Sequence, residues 1–150
     1  MLVTYPALFY YDFEAEHIAP YFVHFPDLES SGTQGDDISD AMMMAADYLG
    51  GLLSIMIEEN EPIPAPPNIH KLSLTEDDSF KDEPEFSSSF DPEKSFISMV
   101  TADLTNYLNG NDPVEKTLTV PKWANRLGQT SELDFSKTLV DAIVEKHLAD

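Results

Sequence analysis

Residues 37–62 read DISDAMMMAADYLGGLLSIMIEENEP, and this stretch contains the main predicted helix of the chain. Asp37 is a suitable N-cap because its carboxylate can accept hydrogen bonds from the free amides of the first turn. Apolar residues recur at spacings of three and four and predict one packing face: Ile38, Met42, Ala45, Leu49, Leu52 and Met56. Pro62 ends the pattern. The adjacent Gly50 and Gly51 predict a close approach between this helix and a sheet, because each costs about 1 kcal/mol of helix propensity.

Strand-like segments occur on both sides of the helix. Those before it are residues 3–11, 18–25 and 32–36, and those after it are residues 69–74 and 96–104. Pro20 should lie at an edge or at the start of its strand, because proline has no amide hydrogen to donate. The pattern predicts an α+β unit, with one main helix packed on an antiparallel sheet.

The composition limits the function classes. The chain has 150 residues, of which 42% are hydrophobic, and this is enough to form a core. A net charge of -20 excludes a nonspecific nucleic-acid coat and favours basic partners. The chain has no cysteine, and its N-terminal segment lacks the basic region of a signal peptide. We therefore predict a cytoplasmic protein with no membrane association.

The charge is concentrated in the first part of the chain. Residues 1–111 contain three basic and 21 acidic residues, a net charge of -18, whereas residues 112–150 have a net charge of -2. We predict a first domain at 1–108, a linker at 109–113 and a second domain at 114–150, because turn and linker residues mark the break. Residues 75–95 are acidic and rich in serine, which predicts a mobile loop within the first domain.

The second domain is too small to form a stable core alone. Leu118 and Val120 alternate with Thr117 and Thr119 as in a strand. One helix begins near Pro121, and a second begins after its candidate N-cap, Asp134. The sequence therefore predicts a homodimer in which a twofold partner supplies a second strand. The predicted dimer residues are Leu118, Val120, Trp123, Leu127, Leu139 and Ile143, with Ala142 and Ala149 or Leu148 on the same stripe as the last two.

The same residues carry a family resemblance. VEKTLTVPKWANRLGQTSELDFSKTLVDAIVEKHL, at 114–148, resembles a ribbon-helix-helix DNA-binding unit (βαα), in which the paired strands enter the major groove. The first domain contains, in order, YPALFYY, YFVHFPDL, TQGD and EPIPAPP, and it resembles the HicB antitoxin family. The resemblance covers the whole chain, apart from the acidic insertion at 75–95. It implies a degraded RNase H-like first domain.

The resemblance also implies partners and a function. These are a HicA-type ribonuclease toxin, which cleaves mRNA, and the operator DNA of the protein's own promoter. The implied protein is a type II antitoxin that neutralises the toxin by direct binding and acts as a transcriptional repressor of its own operon. A larger complex of antitoxin dimer and toxin is expected.

Two sets of residues are the candidate binding sites. Loop carboxylates that could mimic RNA phosphates form the toxin-binding set: Asp12, Glu14, Glu16, Asp27, Glu29, Asp36 and Asp37. The DNA-binding set comprises two threonines that face the bases, two lysines for phosphates, and three amides at the N-terminus of the last helix: Thr117, Thr119, Lys116, Lys122, Phe135, Ser136 and Lys137. A solvated acidic loop and an exposed strand face are the plainer interpretations of these two patterns.

A second function class remains open, namely an acidic protein-binding adaptor whose C-terminal unit only dimerises. The sequence supports no enzyme, catalytic residue, cofactor or metal site. The carboxylates lie mainly in predicted turns rather than converging from strand interiors, which disfavours a metal-dependent nuclease. His17, His24, His70 and His147 have neither paired spacing nor companion cysteines.

Overall fold

The computed structural model describes residues 1–12, 19–28, 32–78, 90–108 and 113–149, with side chains described as far as His147. By its internal contacts the chain forms two compact units, Leu2–Tyr107 and Leu108–Asp150, with Met1 grouped with the second. The predicted boundary after residue 108 lies next to this division. The roles assigned to the two domains remain predictions.

The first unit contains a four-stranded antiparallel sheet. Its strands are β1 (Leu2–Tyr11), β2 (Tyr21–His24), β3 (Thr33–Gly35) and β4 (Phe96–Asp103), in the order β3-β2-β1-β4. The α+β class and the antiparallel sheet are confirmed. The RNase H-like detail stays a prediction.

Two prolines lie where the sheet tolerates them. Pro20 directly precedes β2, as predicted, and its carbonyl accepts a hydrogen bond from the amide of Asp12. Pro6 lies inside the central strand β1, opposite Met99 of β4. The register of β2 begins only at Leu8, so no strand in the described part of the chain pairs with Pro6 on that side, and its missing amide hydrogen removes no ladder bond there.

Helix α1 (Ile38–Glu58) begins as predicted. Asp37 is its N-cap, and the Asp37 side chain accepts a hydrogen bond from the amide of Asp40 at 2.8 Å. The predicted packing face is wrong in part, because Ile38 is 50% exposed while Ala41 and Leu53 are completely buried. The residues of the true face follow a spacing of four: Ala41, Ala45, Leu49 and Leu53.

Side-chain size explains why the buried face of α1 differs from the predicted one. The prediction from hydrophobic spacing favours large apolar side chains, whereas the helix approaches the sheet most closely where its residues are small. A Cβ added to Gly35 in β3 would lie 2.4 Å from the amide nitrogen of Ala41. Gly50 is packed against the ring of Tyr107 rather than against the sheet, and Gly51 faces open space. The predicted glycine contact with the sheet is therefore wrong.

Most buried residues of the sheet lie on the face that carries Phe9, here called the core face, while Pro6, Leu8 and Tyr10 on the opposite face of β1 are buried as well. Phe9 stacks on Phe96 with ring centroids 4.6 Å apart. Phe25, just after β2, stacks on Tyr48 of α1. On the opposite face Thr4 and Thr101 pair across the strands as exposed side chains. The buried residues of the core face are Val3, Tyr5, Ala7, Phe9, Tyr21, Val23, Val100 and Ala102.

The segment after α1 differs from prediction. Residues 61–68 have no regular structure, and Ile69–Lys71 form a short 3-10 helix instead of the predicted strand at 69–74. The side chain of Asn68 caps this turn by accepting from the amide of His70. Local capping by asparagine competes with strand pairing.

Two tyrosines fasten this segment to β1. The Tyr5 hydroxyl donates to the Pro64 carbonyl at 2.6 Å, and the Tyr10 hydroxyl donates to the Leu74 carbonyl at 2.7 Å. Most of the acidic insertion, residues 79–89, lies outside the described residues, so its predicted mobility stays a prediction.

The second unit contains α2 (Lys122–Thr130) and α3 (Phe135–Ala149), close to the predicted helices. Residues 113–121 have no regular secondary structure in the single chain. A strand is defined by its pairing, so the predicted strand at 116–120 is not tested by one copy. The two helices meet where the Phe135 ring fills the space beside Gly128.

Candidate functional site

The predicted toxin-binding acids do not form one cluster. Four of the seven are described, namely Asp12, Asp27, Asp36 and Asp37, and the other three (Glu14, Glu16, Glu29) lie outside the described residues. Asp36 and Asp37 precede the first turn of α1, whereas Asp27 lies beside Leu52 and Met56 in its last third. At 1.5 Å per residue these positions are roughly 20 to 30 Å apart. They form two separate acidic regions.

The described acids also differ in their burial and in their hydrogen bonds. Asp12 is half-buried and forms an isolated antiparallel bridge with Phe90. Asp37 caps α1, and Asp40 accepts from the Asp36 amide at 2.8 Å. Asp27 is exposed in the turn after β2, with a left-handed φ of 66°. Because Asp12 is half-buried and the Asp37 side chain caps α1, Asp27 and Asp36 are the described acids of this set whose side chains are most available to a partner.

One ionisable side chain of this unit, His24 in β2, is half-buried. Its Nδ1 atom is buried and has no hydrogen-bond partner among the described residues. Burial lowers the pKa of His24, and the nearby carboxylates of Asp78 and Asp77 oppose that shift. From the sequence, this histidine was noted only for lacking paired spacing and companion cysteines. The acidic residues Asp77 and Asp78 that act on it are distant in sequence, so no local pattern indicates them.

In the second unit the predicted DNA-binding side chains are exposed. Lys116, Thr117, Thr119 and Lys122 all lie at the surface on or just after the extended segment 113–121. Asp134 caps α3, and its Oδ1 atom accepts from the Lys137 amide at 3.0 Å. The cap occupies this amide in the single chain, and a phosphate contact at Lys137 stays a prediction. Within the described chain, the amides of Phe135 and Ser136 have no such acceptor.

The predicted dimer residues are mostly exposed in the single chain. Trp123 is 67% exposed and Ile143 59%, while Leu139 is half-buried. Val144, which sequence reasoning did not select, is the buried apolar residue of α3. Ala142 is exposed, and the side chains of residues 148 and 149 are outside the described set. Leu118, Val120 and Leu127 are also about half exposed or more.

Metal sites and membrane spans are two further possibilities for this chain. Among the described residues no group of three or more His, Cys, Asp or Glu side chains could hold a metal ion. Helix α1 is long and apolar enough to cross a membrane by length and composition, a test that the core helix of a soluble protein also passes. In this chain α1 buries the row from Ala41 to Leu53.

Comparison with known proteins gives consistent matches. The family described as "HicB_like antitoxin of bacterial toxin-antitoxin system" matches residues 4–74. A chain in a solved toxin-antitoxin complex from Streptococcus pneumoniae is 52% identical, with a TM-score of 0.70 over 97% of this chain and 99% of that one. The antitoxin HicB of Burkholderia pseudomallei is 17% identical, with a TM-score of 0.55 over 96% of this chain and 98% of that one, and so shares the fold.

A curated relative matches over a shorter stretch. Antitoxin HicB 1 of Photorhabdus laumondii subsp. laumondii is 46% identical over 46 residues. The match covers 31% of this chain and 30% of that protein's length. This similarity is therefore local, while the match to the Streptococcus pneumoniae chain extends over both units.

Proposed function

The chain belongs to the HicB-like antitoxins of bacterial toxin–antitoxin systems, and from that premise we propose that it neutralises a HicA-type mRNA-cleaving toxin and represses its own operon. Toxin capture is assigned to the first unit and DNA binding to a ribbon-helix-helix dimer of the second. The observation that carries the proposal is the 52% identity, over nearly the full length of both chains, to a chain in a toxin-antitoxin complex.

Charge supports the assignment of the toxin to the first unit. Residues 1–111 have a net charge of -18, and Asp27 and Asp36 present exposed carboxylates on two different parts of the surface. A ribonuclease must attract RNA phosphates, so its surface is expected to be basic. Complementary charges would accelerate association, and close ion pairs would slow dissociation.

Charge reversal tests this capture. Asp27→Lys with Asp36→Lys should weaken or slow toxin binding, whereas Glu115→Lys with Glu145→Lys makes the same change of net charge in the second unit. Calorimetric titration with the purified toxin at two salt concentrations measures both pairs. Equal losses of toxin affinity for the two double variants would mean that net charge alone drives binding. An unchanged affinity for both would mean that the toxin contacts other residues than these acids.

Exposed side chains on the second unit support the DNA assignment. Thr117 and Thr119 are exposed, so paired strands from two copies would present four hydroxyl and methyl groups. Lys116 and Lys122 flank them and could contact phosphates. The free amides of Phe135 and Ser136 offer one further phosphate contact at the start of α3.

Operator binding is tested with two variants. Thr117→Ala with Thr119→Ala should lose about 1 to 3 kcal/mol per base contact and relax sequence preference. Lys116→Ala should weaken operator and scrambled duplex alike, and Lys71→Ala, an exposed lysine of the first unit, is its matched control. Gel-shift titrations on the upstream duplex measure these effects, and full operator preference in the double threonine variant would contradict the ribbon assignment.

The acidic adaptor is the second candidate, and the net charge of -20 favours it. An adaptor whose C-terminal unit only dimerises would show no salt-dependent affinity for the upstream duplex. A repressor would lose affinity steeply with added salt, because its lysines displace counterions from the phosphates.

A further inference from the structure

An open groove lies in the first unit beside the last third of α1. Its volume is about 500 Å³. Five apolar residues and two acids line it: Leu28, Leu52, Met56, Pro62 and Pro64, with Asp27 and Glu61. None of the predicted binding roles includes the groove as a whole, since neither Glu61 nor any of the apolar lining residues was among the predicted binding residues.

The walls of the groove are fixed by the fold. Leu28 is only 4% exposed and belongs to the core, and its amide closes the turn onto the Phe25 carbonyl. The Glu61 amide donates to the Met56 carbonyl at 2.8 Å, which holds the chain against the end of α1. Further along the chain, the Pro64 carbonyl accepts a hydrogen bond from the Tyr5 hydroxyl. Both acids of the lining therefore stand on anchored backbone.

The acids of the groove have no cationic partner in the described chain. Asp27 and Glu61 are exposed, and neither side chain has an ion pair or hydrogen bond among the described residues. The described lysines of this unit are Lys71, which is exposed, and Lys94, which lies over the ring of Tyr11. Negative charge is thus left uncompensated beside apolar surface.

This combination matches a long cationic side chain. Such a side chain packs its methylene stem on apolar surface and keeps its charged end beside acids. Arginine suits two carboxylates better than lysine, because its planar guanidinium has five donors that can serve both at once. We propose that the groove binds one arginine side chain of the toxin. This inference rests on the proposed function, since it names a contact within toxin capture.

Neutralising the two acids tests the inference. Asp27→Asn with Glu61→Gln keeps side-chain size, and asparagine tolerates the left-handed backbone at position 27. Glu59→Gln with Glu93→Gln is the control, because it removes the same charge from exposed residues outside the groove. Thermal melts of both double variants should match the wild type. Calorimetry of the full chain with purified toxin should show at least about tenfold weaker binding for the groove pair and about twofold or less for the control.

Substitutions in the toxin then identify the occupant. Each toxin arginine is replaced in turn by lysine and by alanine. At one arginine position, the substitution should weaken binding to the wild-type antitoxin. The same substitution should cause no further loss of affinity for the Asp27→Asn, Glu61→Gln variant. Equal affinities for the groove and control pairs would overturn the inference while the proposed function stands. Coupling to none of the arginines would overturn the named occupant. A wild-type chain that does not bind the toxin would overturn the proposed function itself.

Discussion

The two units place their large apolar side chains in opposite environments. In the first, Phe9, Phe25 and Leu49 are completely or almost completely buried, and helix and sheet fill each other's apolar faces. In the second, Trp123 and Ile143 are more than half exposed in the single chain. The comparison teaches that the first unit contains its own core, whereas the second leaves large apolar side chains at its surface, a pattern typical of interaction sites.

Removing the second unit should have the largest effect. A chain that ends at Asn111 is expected to lose the dimer completely while its first unit stays folded, because its core lies within Leu2–Tyr107. Sedimentation velocity measures the oligomer, and circular dichroism follows the fold. An unchanged oligomer after truncation would contradict the proposed role of the second unit in assembly.

Shortening one apolar side chain in each unit sharpens the comparison. Leu49→Ala should lower the free energy of unfolding by about 2 to 5 kcal/mol, because it leaves a cavity beside the sheet. Trp123→Ala should instead raise the dissociation constant of the dimer and leave the unfolding of the first unit unchanged. Urea titrations and sedimentation equilibrium separate the two results. A loss of first-unit stability in the tryptophan variant would contradict the division between the units.

The adjacent glycines of α1 give a matched pair within one unit. An added Cβ at Gly50 would lie 2.3 Å from the ring of Tyr107, whereas nothing lies within 4 Å at Gly51. Gly50→Ala should therefore cost about 1 to 3 kcal/mol of stability through overpacking. Gly51→Ala should gain up to about 1 kcal/mol from helix propensity. Thermal melts of both variants measure this difference, and equal effects would mean that the Tyr107 ring moves away freely.

The smallest expected effect concerns His24. Burial lowers its pKa in the folded state, so the unfolded chain binds the extra proton first as the pH falls below about 6.5. The first unit should lose stability between about pH 7 and pH 5, and His24→Gln should lose less over that range. Thermal melts at several pH values measure this, with His70→Gln as an exposed control. If His24→Gln and the wild type lost stability equally as the pH falls, the loss would come from carboxylates of the chain rather than from His24.

Local patterns predicted the elements whose determinants are local. Asp37 and Asp134 both cap the helices that follow them, as predicted, since a cap needs only a few neighbouring residues. The packing face of α1 was placed on its large residues and lies instead along Ala41, Ala45, Leu49 and Leu53. Which face a helix buries depends on how closely the sheet approaches, and that distance is set by residues far away in sequence.

The candidate sites show the same limit. Composition and family resemblance pointed to acidic loops, and Asp27 and Asp36 in these loops are exposed. Neither source could show that the two loops lie beside opposite ends of α1 and are therefore far apart. The groove combines Asp27 with Glu61, which are distant in sequence. No periodic pattern connects two such residues, so only the folded chain brings them together.

The hydrogen bond from Tyr10 to the Leu74 carbonyl makes this phenol an optical reporter. Burial, aided by the charges of Asp78 and Asp77, raises the pKa of Tyr10, so its hydroxyl stays protonated in alkali that ionises a free tyrosine. The unfolded chain releases that proton more readily, so the raised pKa stabilises the fold below about pH 10 and ceases to do so as the pH rises further. Phenolate absorbance from this residue would therefore mark the moment when the segment after α1 separates from β1, without any added dye or label.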